Sequence, residues 1–140
     1  MPKRHNSLFQ GIANFRNLRR SALKAAKGKR GKPGAAAFLA DQEGECLRLE
    51  SELEDGSYRP GAYIKIEVWE PKHRVVSAAP FRDRVVHHAL CAIVLPIFET
   101  GFISGTFANR TGKGTHRAVQ LYERYRDRSA QVLRCDVFRY

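Results

Sequence analysis

The sequence predicts an α+β fold, with helices at the N-terminus, a β-hairpin, two further helices and a last strand. Apolar residues recur at every third or fourth position in four stretches, which is the period of an amphipathic helix. In one stretch they recur at every second position, which is the period of a half-buried strand. The length of 140 residues suits one domain with a single hydrophobic core.

Residues 1–34 are predicted to form a basic helix and loop ahead of the domain at 35–140. Apolar residues keep helical spacing across 8–18, and Asn6 or Ser7 is placed to cap this helix. The segment contains ten Lys or Arg and no Asp or Glu, so it carries +10 of the net charge of +11. We expect its glycine-rich end to contact nucleic-acid phosphates without reading sequence, although a solvated tail has the same composition. The candidate contacts there are Lys27, Lys29 and Arg30.

Residues 35–55 are predicted to form an acidic surface helix, because apolar residues keep helical spacing between seven carboxylates. Asp55-Gly56 supplies a stop signal at its C-terminal end. We expect the carboxylates to face water. A metal site among them is the alternative, but charges spread around a helix are typical of a solvated face.

A β-hairpin is predicted after this helix. The side chains of residues 62–69 alternate between an apolar and a largely polar face, as in a half-buried strand. Glu70-Pro71-Lys72 breaks that strand, and residues 74–77 return beside it. The residues at or beside the hairpin tip are Lys72, His73 and Arg74.

Two further helices and a last strand complete the predicted fold. Asp83 is placed to cap the first of these helices, residues 85–94 bury one broad face, and Pro96 ends or kinks it. Thr115 can cap the second helix, whose small and aromatic residues form a buried stripe. Residues 131–137 are predicted to form a strand that enters the core.

The loop between these two helices interleaves aromatic residues with basic ones. Such a loop can stack on bases and hold a nucleic-acid backbone at the same time. The residues concerned are Phe98, Phe102, Phe107, Arg110 and Lys113.

Charge and cysteine usage narrow the classes of partner and location. The net charge of +11 indicates a polyanionic partner. Nucleic acid is favoured over membrane, since no apolar run reaches the ~20 residues that span a bilayer. The N-terminus lacks the apolar core of a secretory signal, so a cytoplasmic protein is expected. Three cysteines without CxxC spacing argue against a disulfide framework or a zinc site, and we expect them to be reduced and buried.

Three local motifs are too weak to assign chemistry by themselves. GKGT at 112–115 lacks the GxxxxGK[ST] spacing of a phosphate-binding loop. His87 and Cys91, four residues apart on one helix face, supply only two metal ligands, so a core histidine is favoured. Asp136, at the end of the last strand, suits either a metal ligand or the cap of a following turn.

Three longer segments occur in an order that is typical of one family. They are YRPGAYIKIEVWEPKHRVVSAAPFRDRVVHHAL at 58–90, LPIFETGFISGTFANRTGKGTHRAV at 95–119 and VLRCDVFRY at 132–140. Together they resemble the N-terminal part of a prokaryotic reverse transcriptase, of the type found in group II introns, retrons and diversity-generating retroelements. The resemblance implies a polymerase fingers subdomain, built from N-terminal helices, a β-hairpin and two further helices, followed by the first strand of the palm.

The resemblance implies roles for individual residues near the site of nucleotide addition. Lys72 and Arg74 match the residues that clamp the triphosphate of the incoming dNTP. Asp136 matches the first catalytic aspartate, a ligand of the two Mg²⁺ ions that serve this reaction. Val137 would offer a backbone group near the same site, and Tyr140 matches the aromatic residue that discriminates against a ribose 2′ hydroxyl.

The resemblance also implies contacts with an RNA template and an RNA/DNA primer duplex. The matched residues are Phe107, Asn109, Arg110, Lys113, Arg82 and Arg84. Phe107 stands where a tyrosine is more usual, a change that keeps the ring and loses a hydroxyl. One of the two arginines on the helix would reach template phosphate, and Arg84 could instead pair with Asp83 or another neighbour.

The sequence departs from the family in one large respect. The second palm motif, an aromatic residue followed by two aspartates, is absent from these 140 residues. Two of three metal-binding carboxylates are therefore missing, and we expect the polypeptide alone to be inactive, as a fragment or as one part of a complex. A non-catalytic RNA-binding module and a basic ribosome-associated domain are the alternatives. Apolar faces at 115–128 and 132–137 would stay exposed and favour self-association.

Overall fold

The computed structural model describes residues 4–137, and its mixed architecture confirms the predicted α+β class. The described residues form six helices and one two-stranded antiparallel sheet. In chain order these are α1 (Leu8–Ala13), α2 (Phe15–Ala25), α3 (Pro33–Ala40), α4 (Gln42–Glu54), β1 (Ile64–Val68), β2 (Arg74–Ala78), α5 (Phe81–Glu99) and α6 (Thr115–Arg126). The chain divides into two compact units between Glu99 and Thr100. The described part of the basic segment 1–34 lies in the first unit, together with α4 and α5.

The predicted helix at 8–18 is two helices, because the chain is extended at Asn14. The φ and ψ angles of Asn14 are −60° and 131°, and its side-chain Oδ1 accepts a hydrogen bond from Arg16 N at 3.0 Å. Asn14 is therefore the N-cap of α2. Ser7 occupies the N-cap position of α1, one of the two positions predicted, but its side chain makes no capping hydrogen bond.

The predicted helix at 35–55 is also divided, into α3 and α4. Asp41 lies between them and caps α4, since its Oδ1 accepts a hydrogen bond from Gly44 N at 3.2 Å. The predicted stop at Asp55-Gly56 is confirmed: α4 ends at Glu54, and Gly56 has a φ of +72°, a conformation that glycine adopts without strain.

The hydrophobic core of the first unit lies where α2 packs against α4 and α5. Its most completely buried side chains include Leu18 of α2, Leu49 of α4 and Val85 of α5. Asn17 ties the helices together, since its Nδ2 donates to Gly11 O at 3.1 Å and to Ala89 O at 3.0 Å. These contacts fix α2 firmly and leave its opposite face in water.

The predicted β-hairpin is confirmed, but its predicted burial is wrong. β1 and β2 are antiparallel, with Ile64 opposite Ala78 and Val68 opposite Arg74. All of β1 is exposed, and Ile64 is 62% exposed. Within residues 4–137 no third strand pairs with this sheet and all of β1 is exposed, so the alternating pattern predicted the strand but not a buried face.

The helices after the hairpin differ from expectation at their ends and in their burial. α5 begins at Phe81, so Asp83 lies inside the first turn instead of capping it, and the helix continues past Pro96 to Glu99. Thr115 is the first residue of α6, after Gly114, and its side chain makes no cap. No residue of α6 is buried, so the predicted buried stripe is wrong.

The predicted last strand at 131–137 is absent: these residues are exposed and belong to no strand. A strand needs a hydrogen-bonded neighbour, and the described residues offer none at this place. Two of the predicted buried cysteines are also exposed, namely Cys91 and Cys135, whereas Cys46 is buried and all three are free thiols. His87 is exposed on α5, so the expectation of a core histidine is wrong.

Candidate nucleic-acid interface

The tip of the hairpin presents two cations to solvent. Lys72 lies in the turn, and Arg74 begins β2 opposite Val68. The ring of His73 packs against that of Trp69, with centroids 4.3 Å apart, so an aromatic contact stabilises the turn. The tip therefore offers a lysine point charge and an arginine fork, which are the two usual partners of phosphate oxygens.

The base of the hairpin is fastened to α5 by a buried carboxylate. Asp83 is 3% exposed, and it accepts hydrogen bonds from Tyr58 Oη at 2.6 Å and from Gly61 N at 2.8 Å. Burial and the neighbouring Asp83 raise the pKa of Tyr58, so the phenol stays protonated as a donor. A Cβ on Gly61 would approach Pro80 Cγ to 2.9 Å, so the two ends of the hairpin meet closely here. Sequence reasoning missed this network, because it treated Asp83 as a helix cap.

The two arginines of α5 that were expected near template phosphate have partners within the first unit. Arg82 Nη2 lies 2.6 Å from Glu52 Oε1, and its Nε lies 3.8 Å from Glu45 Oε2. A phosphate at Arg82 would have to compete with these carboxylates. The guanidinium of Arg84 lies 5.3 Å from the centre of the Phe81 ring, and its buried Nε has no hydrogen-bond partner among the described residues. The Arg84 guanidinium lies over Phe81 instead of pairing with Asp83, which accepts hydrogen bonds from Tyr58 and Gly61.

The cations of the loop before α6 hold the loop in shape. Arg110 Nη1 donates to Ile103 O and Thr106 O, each at 3.1 Å, and Lys113 Nζ donates to Ser104 O at 2.6 Å. Each also lies over a ring: Arg110 is 5.3 Å from the centre of Phe102, and Lys113 is 5.2 Å from that of Phe107. Asn109 is exposed, with a left-handed φ of 56°. The loop is thus a set of cation-bearing turns supported by aromatic rings.

A cavity of about 340 Å³ lies between this loop and α6 within the second unit. It is lined by Ser104, Phe107, Lys113, Arg117, Gln120, Leu121, Arg124 and Tyr125. Sequence reasoning assigned nothing to the two arginines of α6 in this wall, although their spacing of seven residues places both on one helix face.

The three candidate cations of the basic segment lie in the turns between α2 and α3. Lys27, Lys29 and Arg30 are exposed, and Gly28 between them has a φ of +71°, which favours glycine in this turn. The structure also brings four cations of α2 to the neighbouring surface. The sequence predicted that the basic face of this helix stays free but did not name these residues as contacts; they are Arg16, Arg19, Arg20 and Lys24.

The residues expected near the site of catalysis lie outside the helices and strands of the described structure. Asp136 and Val137 lie in the exposed segment after α6, and Val137 is 71% exposed. Tyr140 lies outside the described residues. Within residues 4–137 no three His, Cys, Asp or Glu side chains are grouped as a metal site would require. Asp136 alone does not fit two Mg²⁺ ions, which are held by several carboxylates together.

Among residues 4–137, no helix has both the length and the apolar character needed to cross a membrane. The sequence matches no protein-family model, and no curated protein matches it at a significant level.

Proposed function

We propose that this chain is the N-terminal part of a cytoplasmic RNA-directed DNA polymerase, comprising the fingers and the start of the palm. In this role it binds template RNA and the triphosphate of the incoming dNTP. The observation that carries the proposal is the exposed hairpin, with Lys72 and Arg74 at its tip and its base fastened to α5 through Asp83. The order of the three sequence segments supports the same role.

A fixed base matters for phosphate binding by an exposed tip. An isolated two-stranded hairpin is marginally stable in water, so its tip would sample many positions. The hydrogen bonds of Asp83 hold the residues just before β1, and Pro80 joins β2 to α5 on the other side. Two cations on a held tip lose less conformational freedom when they close on a triphosphate.

Asp136 is proposed as one ligand of catalytic Mg²⁺, with the remaining ligands supplied by residues other than these 140. Bound Mg²⁺ supplies charge stabilisation to the attacking hydroxyl and the leaving pyrophosphate. Because one carboxylate is insufficient, the purified 140-residue chain is expected to give no product in a primer-extension assay with Mg²⁺ and dNTPs. Template-dependent product would overturn this expectation.

Binding of the triphosphate tests the proposal without requiring catalysis. Displacement of a fluorescent dNTP would be measured on the 140-residue chain with unlabelled dNTP, tripolyphosphate and nucleoside. We expect the first two to compete and the nucleoside to fail, since the tip contacts phosphates. The Lys72→Ala/Arg74→Ala variant is expected to bind about tenfold or more weakly, since two charge-assisted contacts are lost.

The matched control removes the same charge elsewhere. Arg48→Ala/Lys65→Ala replaces a cation of α4, paired with Asp41, and an exposed cation in the middle of β1. This control is expected to bind dNTP like the original chain. Equal weakening in both variants, or the absence of saturable binding, would overturn the assignment of the tip.

A non-catalytic RNA-binding module is the second candidate, and the exposed cations of α2 and the following turns favour it. In that case RNA would bind but dNTP and tripolyphosphate would not compete at the hairpin tip. The same displacement experiment therefore separates the two candidates.

A further inference from the structure

One face of α2 carries a continuous stripe of cations. The stripe has a cation at every third or fourth residue, so the side chains lie one above another along α2 and the turn that follows it. Its residues are Arg16, Arg20, Lys24 and Lys27. At 1.5 Å per residue, the stripe is about 16 Å long. The opposite face of α2 is buried in the core, so the stripe is directed towards water.

Two cavities lie along this stripe and share part of their lining. One has a volume of about 480 Å³ and is lined by Phe15, Arg16, Arg19, Arg20 and Leu23. The other has a volume of about 490 Å³ and is lined by Arg20, Leu23, Lys24, Lys27, Gly28 and Arg30. Because Arg20 and Leu23 line both, the two cavities are neighbours on this surface, and we name them together the α2 groove. Each half is within the size range of small-ligand sites.

The cations of the α2 groove have no carboxylate partner among the described residues. Ion pairs within 4.0 Å involve other cations of this unit, such as Arg48 with Asp41 and Arg82 with Glu52. The 34 N-terminal residues contain no Asp or Glu, and the Glu50 carboxylate of α4, which lies beside the groove, accepts a hydrogen bond from Phe15 N at 2.6 Å. An anionic partner could therefore bind these cations without breaking an existing ion pair.

We infer that the α2 groove binds single-stranded RNA, with phosphates on the cation stripe and bases against Leu23 and Phe15. The charge selects a polyanion, and the apolar floor selects one with exposed flat apolar groups. Leu23 is 43% exposed between the two halves of the groove. A duplex hides its bases and would leave this floor in water, whereas a single strand can turn them towards it.

The surroundings of α2 disfavour an anionic membrane as the partner. A helix that lies in a membrane interface inserts a broad apolar face between the lipids. The corresponding face of α2 is occupied, because Leu18, Ala22 and Ala25 are buried against the other helices. The inference rests on the RNA binding proposed above and deepens it, because it names the surface and the single-stranded form of the RNA. The groove lies apart in sequence from Lys72, Arg74 and Asp136, so it is tested separately from the hairpin tip.

Fluorescence anisotropy with a labelled 12-nucleotide RNA of mixed sequence tests the groove. The variant Arg16→Ala/Arg20→Ala/Lys24→Ala is expected to bind at least about tenfold more weakly near 0.1 M salt. Its plot of log affinity against log salt should be shallower by about 2, since each lost phosphate contact on a single strand changes the slope by about 0.7. Circular dichroism checks that the variant keeps its helices.

The control variant Arg48→Ala/Arg126→Ala/Arg128→Ala removes the same charge from α4, the end of α6 and the residues after it. It should leave both affinity and salt slope close to those of the original chain. If the two triple variants lose equal affinity, the binding is a property of net charge and the groove is refuted. The Lys72→Ala/Arg74→Ala variant should bind the RNA normally, so a failure of the groove and a failure of the hairpin tip are distinguishable.

The apolar floor is tested with Leu23→Ser, which changes no charge. This variant is expected to bind single-stranded RNA about threefold more weakly, since part of an apolar contact is lost. Its affinity for inorganic polyphosphate, which has no bases, should be unchanged. Stronger binding of the original chain to duplex RNA or to an acidic peptide than to the single strand would overturn the inference, as would equal effects of Leu23→Ser on RNA and polyphosphate.

Discussion

The helical part of the first unit and the second unit are stabilised by different kinds of interaction. Among the described residues, every buried side chain lies between Ile12 and Ala89, and residues 100–137 contain none. Apolar contact between helices stabilises the first region, whereas bonds from cations to carbonyl oxygens and rings shape the loop of the second. The hairpin shares the exposure of the second region but is attached to the core through Asp83. The two surfaces with proposed functions differ in the same way: the hairpin tip lies in an exposed region attached to the core at its base, whereas the α2 groove lies on the outer face of a core helix.

The thiols provide the largest expected contrast between buried and exposed regions. Cys46 is fully buried in α4, and burial together with Glu45 raises its pKa to about 11. At pH 8 we expect Cys91 and Cys135 to react quickly with a chromogenic disulfide. Cys46 should react only when the structure opens and exposes its thiol. An opening free energy of about 5 kcal/mol would slow Cys46 by more than a thousandfold.

The measurement is the number of fast and slow thiols by absorbance, with all three expected to be fast in urea. Three fast thiols in the native chain would contradict the burial of α4. They would also remove the distinction between a core and a loosely held remainder.

Shortening a side chain in the core is the next largest expected effect. Leu49→Ala removes a fully buried side chain between α4 and its neighbours, and the cavity should cost about 2–5 kcal/mol in urea unfolding. Leu133→Ala is the matched control, because Leu133 is 87% exposed and its loss should change the free energy by less than about 0.5 kcal/mol. Similar losses at the two positions would refute the comparison.

The sequence predicted the elements better than it predicted their burial. The hairpin was predictable because residues 62–69 alternate between an apolar and a largely polar face, and Glu70-Pro71-Lys72 breaks the strand before residues 74–77 return. Burial of that hairpin, and the strand at 131–137, depend on neighbouring strands that the described residues do not provide. The divisions at Asn14 and Asp41 carried a readable signal, since both are capping residue types placed before a new helical turn.

The positions of exposed side chains in the candidate site could be predicted from the sequence. The hydrogen bonds that its side chains make within the protein could not. Exposure of Lys72 and Arg74 follows from their place at a turn. The bonds of Arg110 to loop carbonyl oxygens depend on the loop conformation, which no period in the sequence encodes. The cation stripe of α2 was visible as three- and four-residue spacing, but net charge alone does not show which face of the helix remains open.

Loss of the Asp83 carboxylate should separate the hairpin from the core. Asp83→Ala leaves Tyr58 Oη and Gly61 N without their acceptor, and we expect a loss of about 3 kcal/mol in urea unfolding. Hydrogen exchange at the Gly61 amide should quicken more than exchange within α2. Asp127→Ala is the control, because it removes an exposed carboxylate paired with Arg126 and should cost less than about 1 kcal/mol. An unchanged Gly61 amide in Asp83→Ala would show that the hairpin base is held by other contacts.

The smallest expected effect lies in the loop of the second unit, where stability is local. Arg110→Ala removes the donor that joins Ile103 O and Thr106 O, and we expect a cost of about 1 kcal/mol from the loss of these two bonds. Exchange at the Thr106 amide, which donates to Ile103 O at 3.1 Å, should quicken while exchange in α2 and α5 stays unchanged. Arg110→Lys should restore part of the loss, because both bonds come from the single nitrogen Nη1 and a lysine Nζ can also donate more than one hydrogen bond. If Arg110→Ala instead lowered the unfolding free energy of the helical core, the two regions would fold as one cooperative body, and the division between a packed scaffold and a locally held loop would be wrong.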